Sequence, residues 1–189
     1  MLMVGAPDIE FIGAAGAGAE TVSVPTHRTG DLIIVQAVDG GLATITVPGD
    51  FTEVETGTWS RCGYKFAASA SETSGTWTNA GDLSVVVYRN VRAIGDTATS
   101  VSFGGVVTFP ALTLQNSSGR SWVVGALGFI STLSGDQADA PTGMTSRNTS
   151  GGTGELSAIH DTNGGVTSWS AQTLDNGSYR AFTIELLPI

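Results

Sequence analysis

A long-range repeat is the sequence feature that most constrains the fold of this chain of 189 residues. An apolar strand, a Pro-containing loop, an amphipathic strand, a Trp-containing segment and a final apolar strand follow one another in this order twice. The equivalent positions lie about 92 residues apart: Pro48 and Pro141, Tyr64 and Leu156, Trp77 and Trp169. Neither half alone has enough two-sided apolar strands to be stable. The repeat therefore predicts two sheets of one sandwich, or a duplicated set of hairpins that closes on a shared core.

Strand and turn signals fill the chain, and no window of a dozen residues keeps the spacing of an amphipathic helix. Clusters of Asn, Asp and Gly separate the strands, since these residues tolerate the backbone conformations of tight turns. We expect an all-β chain with a single antiparallel, jelly-roll-like β-sandwich over residues 8–189, preceded by an N-terminal arm at 1–7. The repeat-like halves are expected at 8–92 and 106–189. Strands are predicted near residues 8–13, 19–24, 31–38, 43–47, 59–69, 82–91, 106–115, 121–130, 154–161, 166–173 and 179–187.

Composition excludes several classes of partner. The chain carries 17 acidic and 8 basic residues for a net charge of −9, so it lacks the basic surface that nucleic acid needs. The single cysteine, Cys62, excludes an internal disulfide. The first residues do not have the pattern of a signal peptide, and no apolar run is long enough for a membrane helix. We expect neither nucleic acid nor a membrane as partner.

Two carboxylates bracket the most apolar strand, in the stretch TGDLIIVQAVDGG at residues 29–41. Asp31 follows a glycine at the strand entrance, and Asp39 precedes a Gly-Gly turn at its exit. The triplet Gly81-Asp82-Leu83 repeats the first arrangement before another apolar strand, as a structural device would. We interpret both carboxylates as structural.

No catalytic or metal-binding constellation stands out. Only His27 and His160 are present, without cysteine or carboxylate at ligand spacing. Asp161 follows His160 directly, but adjacent strand residues point to opposite faces, so it cannot orient that imidazole. Calcium remains an open alternative, although Asp136, Asp139 and the loop 161–164 do not match the spacing of a known cage. We expect no enzyme, no catalytic residue, no cofactor and no metal.

Aromatic residues provide one alternative site. Trp77, Trp122 and Trp169 are interpreted as core or rim packing because of their places in the repeat. Trp59 is flanked by Thr58 and Ser60 and is the tryptophan that we expect to be exposed. With Tyr179 it would form a stacking platform for a glycan.

A series of short motifs in the first half resembles a family. The pattern consists of a Gly-Asp-Leu-hydrophobic strand, a Pro-x-Gly-Trp-Thr-type loop, a Trp/Tyr-Lys-hydrophobic-Ala strand and an Ala-Tyr-Arg-hydrophobic strand. The corresponding segments here are Gly30–Val35, Pro48–Thr52, Tyr64–Ala67, Glu72 with Trp77-Thr78, and Val86–Val91. In this order they resemble virion proteins of tailed bacteriophages and their prophage-encoded relatives. Phe51 departs from the pattern, which usually has Trp at that position.

The resemblance implies a non-enzymatic β-sandwich displayed on a phage particle. A capsid decoration, or cement, protein is expected, made in the bacterial cytoplasm and bound to the major capsid protein on the head surface of the virion. Such proteins are often homotrimers, and the resemblance implies a homo-oligomer, a trimer, for this chain too. The alternative is a tail-fibre or carbohydrate-binding module that recognises host surface glycans.

The apolar N-terminal segment is the candidate docking arm for a neighbouring subunit. It consists of Met1, Leu2, Met3 and Val4, and Pro7 prevents it from entering a helix. A merely frayed terminus is the equal alternative.

Overall fold

The structure is a computed structural model that describes residues 8–131, 139–151 and 154–189. These residues form ten β-strands and no helix. The strands are β1 (Glu10–Ala17), β2 (Leu32–Val38), β3 (Thr52–Glu53), β4 (Ser60–Phe66), β5 (Asp82–Arg89), β6 (Val91–Phe109), β7 (Trp122–Ser131), β8 (Thr145–Gly151), β9 (Gly154–Asp161) and β10 (Gln172–Pro188).

The two sheets confirm the all-β antiparallel sandwich and its internal repeat. The first sheet has the order β1-β5-β2-β4-β3 and the second the order β6-β10-β7-β9-β8, so the second repeats the first strand by strand. All neighbours are antiparallel. Each half of the chain forms one complete sheet. Consecutive strands therefore stay in the same sheet, a finer detail of the sandwich than the jelly-roll-like description gave.

Several predicted strand positions were wrong. Residues 19–24 and 43–47 form loops, apart from one bridge between Thr46 and Thr78, and β10 begins only at Gln172. Apolar residues occur in these loops because the loops cover an outer sheet face. The sequence reading also missed β8 and the first two thirds of β6, where small and hydroxyl-bearing side chains leave no apolar alternation to detect.

The main core lies between the inner faces of the sheets. Alternate residues of β2 point to it, and Tyr88 of β5 contacts Trp122 of β7 edge-on, with ring centroids 6.2 Å apart. Residues of both sheets contribute: Leu32, Ile34, Cys62, Val86, Tyr88, Trp122, Val124, Ala126, Ile159, Phe182, Ile184 and Leu186.

Each sheet also carries an outer apolar layer. In the first sheet Trp77 lies over the outer residues of β2 and β5, and its backbone N–H donates to the Glu20 carbonyl. In the second sheet Trp169 packs near Val123, and its carbonyl accepts from the N–H of Leu112. The two tryptophans are buried at equivalent places in the repeat, and Trp122 is buried as well. Their interpretation as packing residues is confirmed.

The ribbon of β6 and β10 folds over the outer face of the second sheet. Ser102 pairs with Tyr179, whereas Phe109 pairs with Gln172, and the register shifts between these pairs. Gly104 supplies a φ of +74° at the fold, a conformation that favours glycine. Phe109 consequently packs against Gly125 of β7, and β6 covers the apolar layer of its own sheet.

The two lateral edges of the sandwich differ. On one side β1 and β8 lie against each other, with Gly16 so close to Asn148 and Ser150 that no side chain fits there. On the other side β3 has 2 residues and β6 has 19. Sheet two therefore extends beyond sheet one along β6.

Replacing Trp77 by Ala should destabilise the fold by about 3–5 kcal/mol, because a fully buried aromatic ring is lost from the outer layer of the first sheet. Urea unfolding followed by fluorescence and circular dichroism measures this. Leu42→Ala, at an exposed residue, is the control and should change the free energy of unfolding by less than about 0.5 kcal/mol. Equal effects of the two substitutions would contradict the assignment of Trp77 to a packed layer.

Candidate functional site

The carboxylates that bracket β2 have structural partners. Asp31 is buried and accepts two hydrogen bonds from Arg89, at 2.9 and 2.8 Å, and one from the backbone N–H of Arg28. Burial opposes ionisation of Asp31, but these hydrogen bonds prevail and hold the pKa of its carboxyl below the usual value. Asp39 accepts from the N–H of Ala43 in the turn after β2. Each carboxylate ties a strand end to a loop.

The single lysine of the chain binds the loop before β3. The Nζ of Lys65 donates to Asp50 at 2.7 Å and to Glu72 at 2.9 Å, and lies over the ring of Phe51. Burial works against the charged form, but the two carboxylates outweigh it and raise the pKa of Lys65. Phe51 packs edge-on against Trp77, with ring centroids 5.3 Å apart. The motif residues that carry the resemblance are therefore in contact, and these contacts build the fold.

A buried ion pair between neighbouring strands of the second sheet is connected to the first sheet through Tyr88. Asp161 of β9 accepts two hydrogen bonds from Arg147 of β8, at 2.7 and 2.9 Å, and one from the Tyr88 hydroxyl at 2.8 Å. Burial is the main cause that raises the pKa of Tyr88. The Asp161 carboxylate also accepts a hydrogen bond from the N–H of Asn163. Of the other candidate calcium ligands, Asp139 is exposed.

A second polar connection between the sheets was not predicted. Asp82 is buried and accepts from the N–H and hydroxyl of Ser157, at 3.1 and 2.5 Å, and from the Ser150 hydroxyl at 2.7 Å. Burial raises the pKa of this carboxyl despite the hydrogen bonds. The Gly-Asp-Leu triplet was the signal for Asp82, but it does not reveal that its partners lie on the opposite sheet.

The two histidines lie in different surroundings. The Nδ1 of His27 donates to the Pro25 carbonyl and its Nε2 accepts from the N–H of Glu72. His160 points to the outer face of its sheet, edge-on to Phe109, and neither of its ring nitrogens has a hydrogen-bond partner among the described residues. Burial lowers the pKa of His160 to about 4. His160 and Asp161 have separate contacts, as the alternation of strand side chains predicts.

The proposed glycan platform has no exposed ring. Trp59 is 5% exposed and lies 6.0 Å from the ring of Phe103, so the expectation of an exposed Trp59 was wrong. The reason is the β6 overhang, whose Phe103 covers the indole. Tyr179 is 3% exposed in the outer layer under the β6 ribbon. The candidate arm Met1, Leu2, Met3 and Val4 and the residue Asp136 lie outside the described residues.

The most exposed apolar surface surrounds the fold in the β6 ribbon. Val101 is 53% exposed, Phe103 66% and Val106 51%, and we call these three residues the β6 patch. The longest run without a charged residue, 97–119, contains them all. The absence of charge over this run is the sequence feature that indicates an exposed apolar surface. The surface was not predicted because residues 97–105 were not recognised as part of a strand.

Two side chains of opposite charge, Glu55 and Arg180, lie next to the β6 patch. Glu55 accepts a hydrogen bond from the Thr99 hydroxyl and pairs with Arg180 at 3.8 Å. Arg180 also donates to the Thr56 carbonyl at 2.9 Å. Glu55 is thus paired with a cation, and Asp96 of β6 accepts hydrogen bonds from the backbone N–H groups of Thr97 and Thr113. The surface presented by the patch itself is apolar.

Compared with protein-family models, with curated proteins and with solved structures, the chain matches none. Within the described ranges, no group of three or more His, Cys, Asp or Glu side chains is placed to hold a metal ion. Those ranges also contain no helix that is long and apolar enough to span a membrane. The case for a function therefore rests on the residues that carry the resemblance and on the geometry above.

His160→Leu should remove one component of acid sensitivity. Between pH 6.5 and about 4 the unfolded chain protonates this histidine and the folded chain does not, so stability falls as the pH falls through this window. The loss amounts to roughly 3 kcal/mol at 1.36 kcal/mol per pKa unit. Urea unfolding at pH 7.5, 5.5 and 4.5 should show a smaller loss for His160→Leu than for the wild type.

His27→Leu is the matched control, because that substitution leaves the Glu72 N–H and the Pro25 carbonyl without their partner. It should already cost stability at pH 7.5, by about 1–3 kcal/mol, whereas His160→Leu should not. Identical pH profiles for His160→Leu and the wild type would contradict the buried, neutral state of His160.

Proposed function

We propose that the protein is a structural component of a phage virion, a capsid decoration protein that binds the assembled head through the major capsid protein and stabilises it. The motifs shared with tailed-phage virion proteins support the virion role. The exposed and uncharged β6 patch is the observation that carries an assembly role, because neighbouring exposed apolar side chains mark surfaces that contact another molecule.

The arrangement of the charged residues fits a static role. Arg89, Lys65 and Arg147 are each held by a carboxylate at 2.7–2.9 Å, in contacts that connect strands, loops or sheets. Such groups are positioned by the fold and are not presented in a cleft. A rigid sandwich with its ionic groups engaged internally is suited to bear load between capsid subunits.

Stabilisation would follow from mass action. A subunit that binds the assembled shell and not its free components lowers the free energy of the assembled state alone. The shell then withstands a higher temperature or a higher internal pressure before it opens. No chemical step is needed for this function.

Docking on the capsid is assigned to the N-terminal arm. Ile9 is anchored in the inner core, and the carbonyl of Asp8 accepts a hydrogen bond from Asn90. A contact made by residues 1–7 would therefore be connected directly to the core of the sandwich. Glycan recognition is the weaker alternative, since Trp59 and Tyr179 are both buried.

The test is reconstitution with phage heads that lack the protein. Purified protein should co-sediment with the heads saturably and raise the temperature at which they release DNA. Binding to tails or to a glycan array, without binding to heads, would contradict the decoration role.

Substitutions in the arm make the assay specific. The double variant Leu2→Ser, Val4→Ser should lose head binding by at least about tenfold, a loss of 1.4 kcal/mol. The matched control Leu42→Ser removes an exposed apolar side chain in the turn after β2 and should bind as the wild type does. Unchanged binding of the arm variant would show that another surface contacts the capsid.

A further inference from the structure

We propose that β6 is a self-association edge, at which the strand and the β6 patch contact the same surface of a second copy of this chain. The inference rests on the proposed function, because it takes the β6 patch to be a surface that serves assembly. The resemblance implies self-association as a trimer; the new elements are the strand that makes the contact and its two-fold geometry.

The first argument is that the edge is open. β6 is the terminal strand of its sheet, with β10 on one side and no strand of the described ranges on the other. The facing strand of the first sheet, β3, has 2 residues against the 19 of β6 and leaves the overhang uncovered. Open backbone groups on a long edge strand are ready to pair with another strand.

The second argument is that the edge lacks protection. Natural edge strands are usually short, or carry charges or proline that discourage pairing. From residue 97 to the end of β6 at Phe109 there is no charged residue and no proline. Three large apolar side chains, Val101, Phe103 and Val106, are more than half exposed along the same stretch. An edge of this kind is a liability unless the assembled state covers it.

The third argument, from charge, selects a second copy as the occupant. With a net charge of −9, two copies repel each other over most of their surfaces. Contact at β6 brings together the longest uncharged run of the chain, residues 97–119, so no like charges are placed face to face there. The nearby Glu55 is paired with Arg180. An uncharged edge can also pair with a second copy of itself, since it needs no opposite charge on its partner.

Symmetry gives the geometry of the contact. Antiparallel pairing of two β6 strands about a two-fold axis presents the same surface from both copies and closes after two subunits. Thr97, Thr99 and Val101 alternate along one side of the strand, and β-branched residues opposite one another stabilise strand pairs. Phe103 of each copy would lie at the margin of this contact.

The mass of the full chain in solution tests the proposal. Size-exclusion chromatography with light scattering, from about 1 to 100 μM, should show the 19.3 kDa monomer at the low end and a species of twice that mass at the high end. Phe103→Ser and Val101→Ser should each weaken association by at least about tenfold. Ile189→Ser, at a comparably exposed residue, should not.

Phe103 also covers Trp59, so Phe103→Ser changes the local packing as well as the edge. Val101→Ser is included because it alters the edge without uncovering Trp59. A monomer across the whole concentration range, or an oligomer that neither substitution weakens, would overturn the proposal. Head binding by a chain that stays monomeric would overturn it as well and would leave the decoration role intact.

A cysteine placed on the edge provides a second measurement. Cys62 is buried, and burial raises the pKa of its thiol, so an introduced surface cysteine is the reactive one. Under mild oxidation, cysteines at Thr97, Thr99 and Val101 should form disulfide-linked dimers, most rapidly at the residue nearest the axis. Ser168→Cys, at an exposed residue of the loop between β9 and β10, is the control. Equal dimer yields at Ser168 and on β6 would contradict the specific contact.

Discussion

The contact between the inner faces of the two sheets is the constraint on which the rest of the structure depends. It encloses an apolar core, but its register is set by two polar connections that cross it. Asp161 on β9 receives the Tyr88 hydroxyl near one end, and Asp82 on β5 receives Ser157 near the other. A buried carboxylate that loses its donors is costly, so each connection disfavours sliding of one sheet over the other. The outer layers and the edges take their positions from this alignment.

A repeated five-strand order describes the architecture, and the differences between the two halves create the surface available for function. The same five-strand order occurs in both sheets, with Trp77 and Trp169 in equivalent outer layers. The edges are not equivalent. β3 has only 2 residues whereas β6 has 19, and the overhang between them exposes the three apolar residues Val101, Phe103 and Val106. The asymmetry of the repeat is thus the physical origin of the β6 patch.

The parts of the fold that local sequence patterns encode could be predicted. The alternation and the turns predicted the sheets, and the repeated Gly-Asp-Leu triplet identified Asp31 as structural. The partners of Asp82 and the burial of Trp59 could not be predicted, because both depend on residues far away in the chain. The first two thirds of β6 were not predicted for a different reason. The stability of this strand comes from pairing with β10 and not from apolar alternation, and this pairing is a long-range property.

Hydrogen–deuterium exchange of the full chain at low and high protein concentration tests the central claim most directly, namely that the β6 edge is the assembly surface. The backbone amides of residues 97–103 should become protected as the concentration rises, while those of β1, β3 and β8, on the other lateral strands, keep their exchange rates. Exchange at β6 that is independent of concentration, or protection spread evenly over the sandwich, would contradict the account.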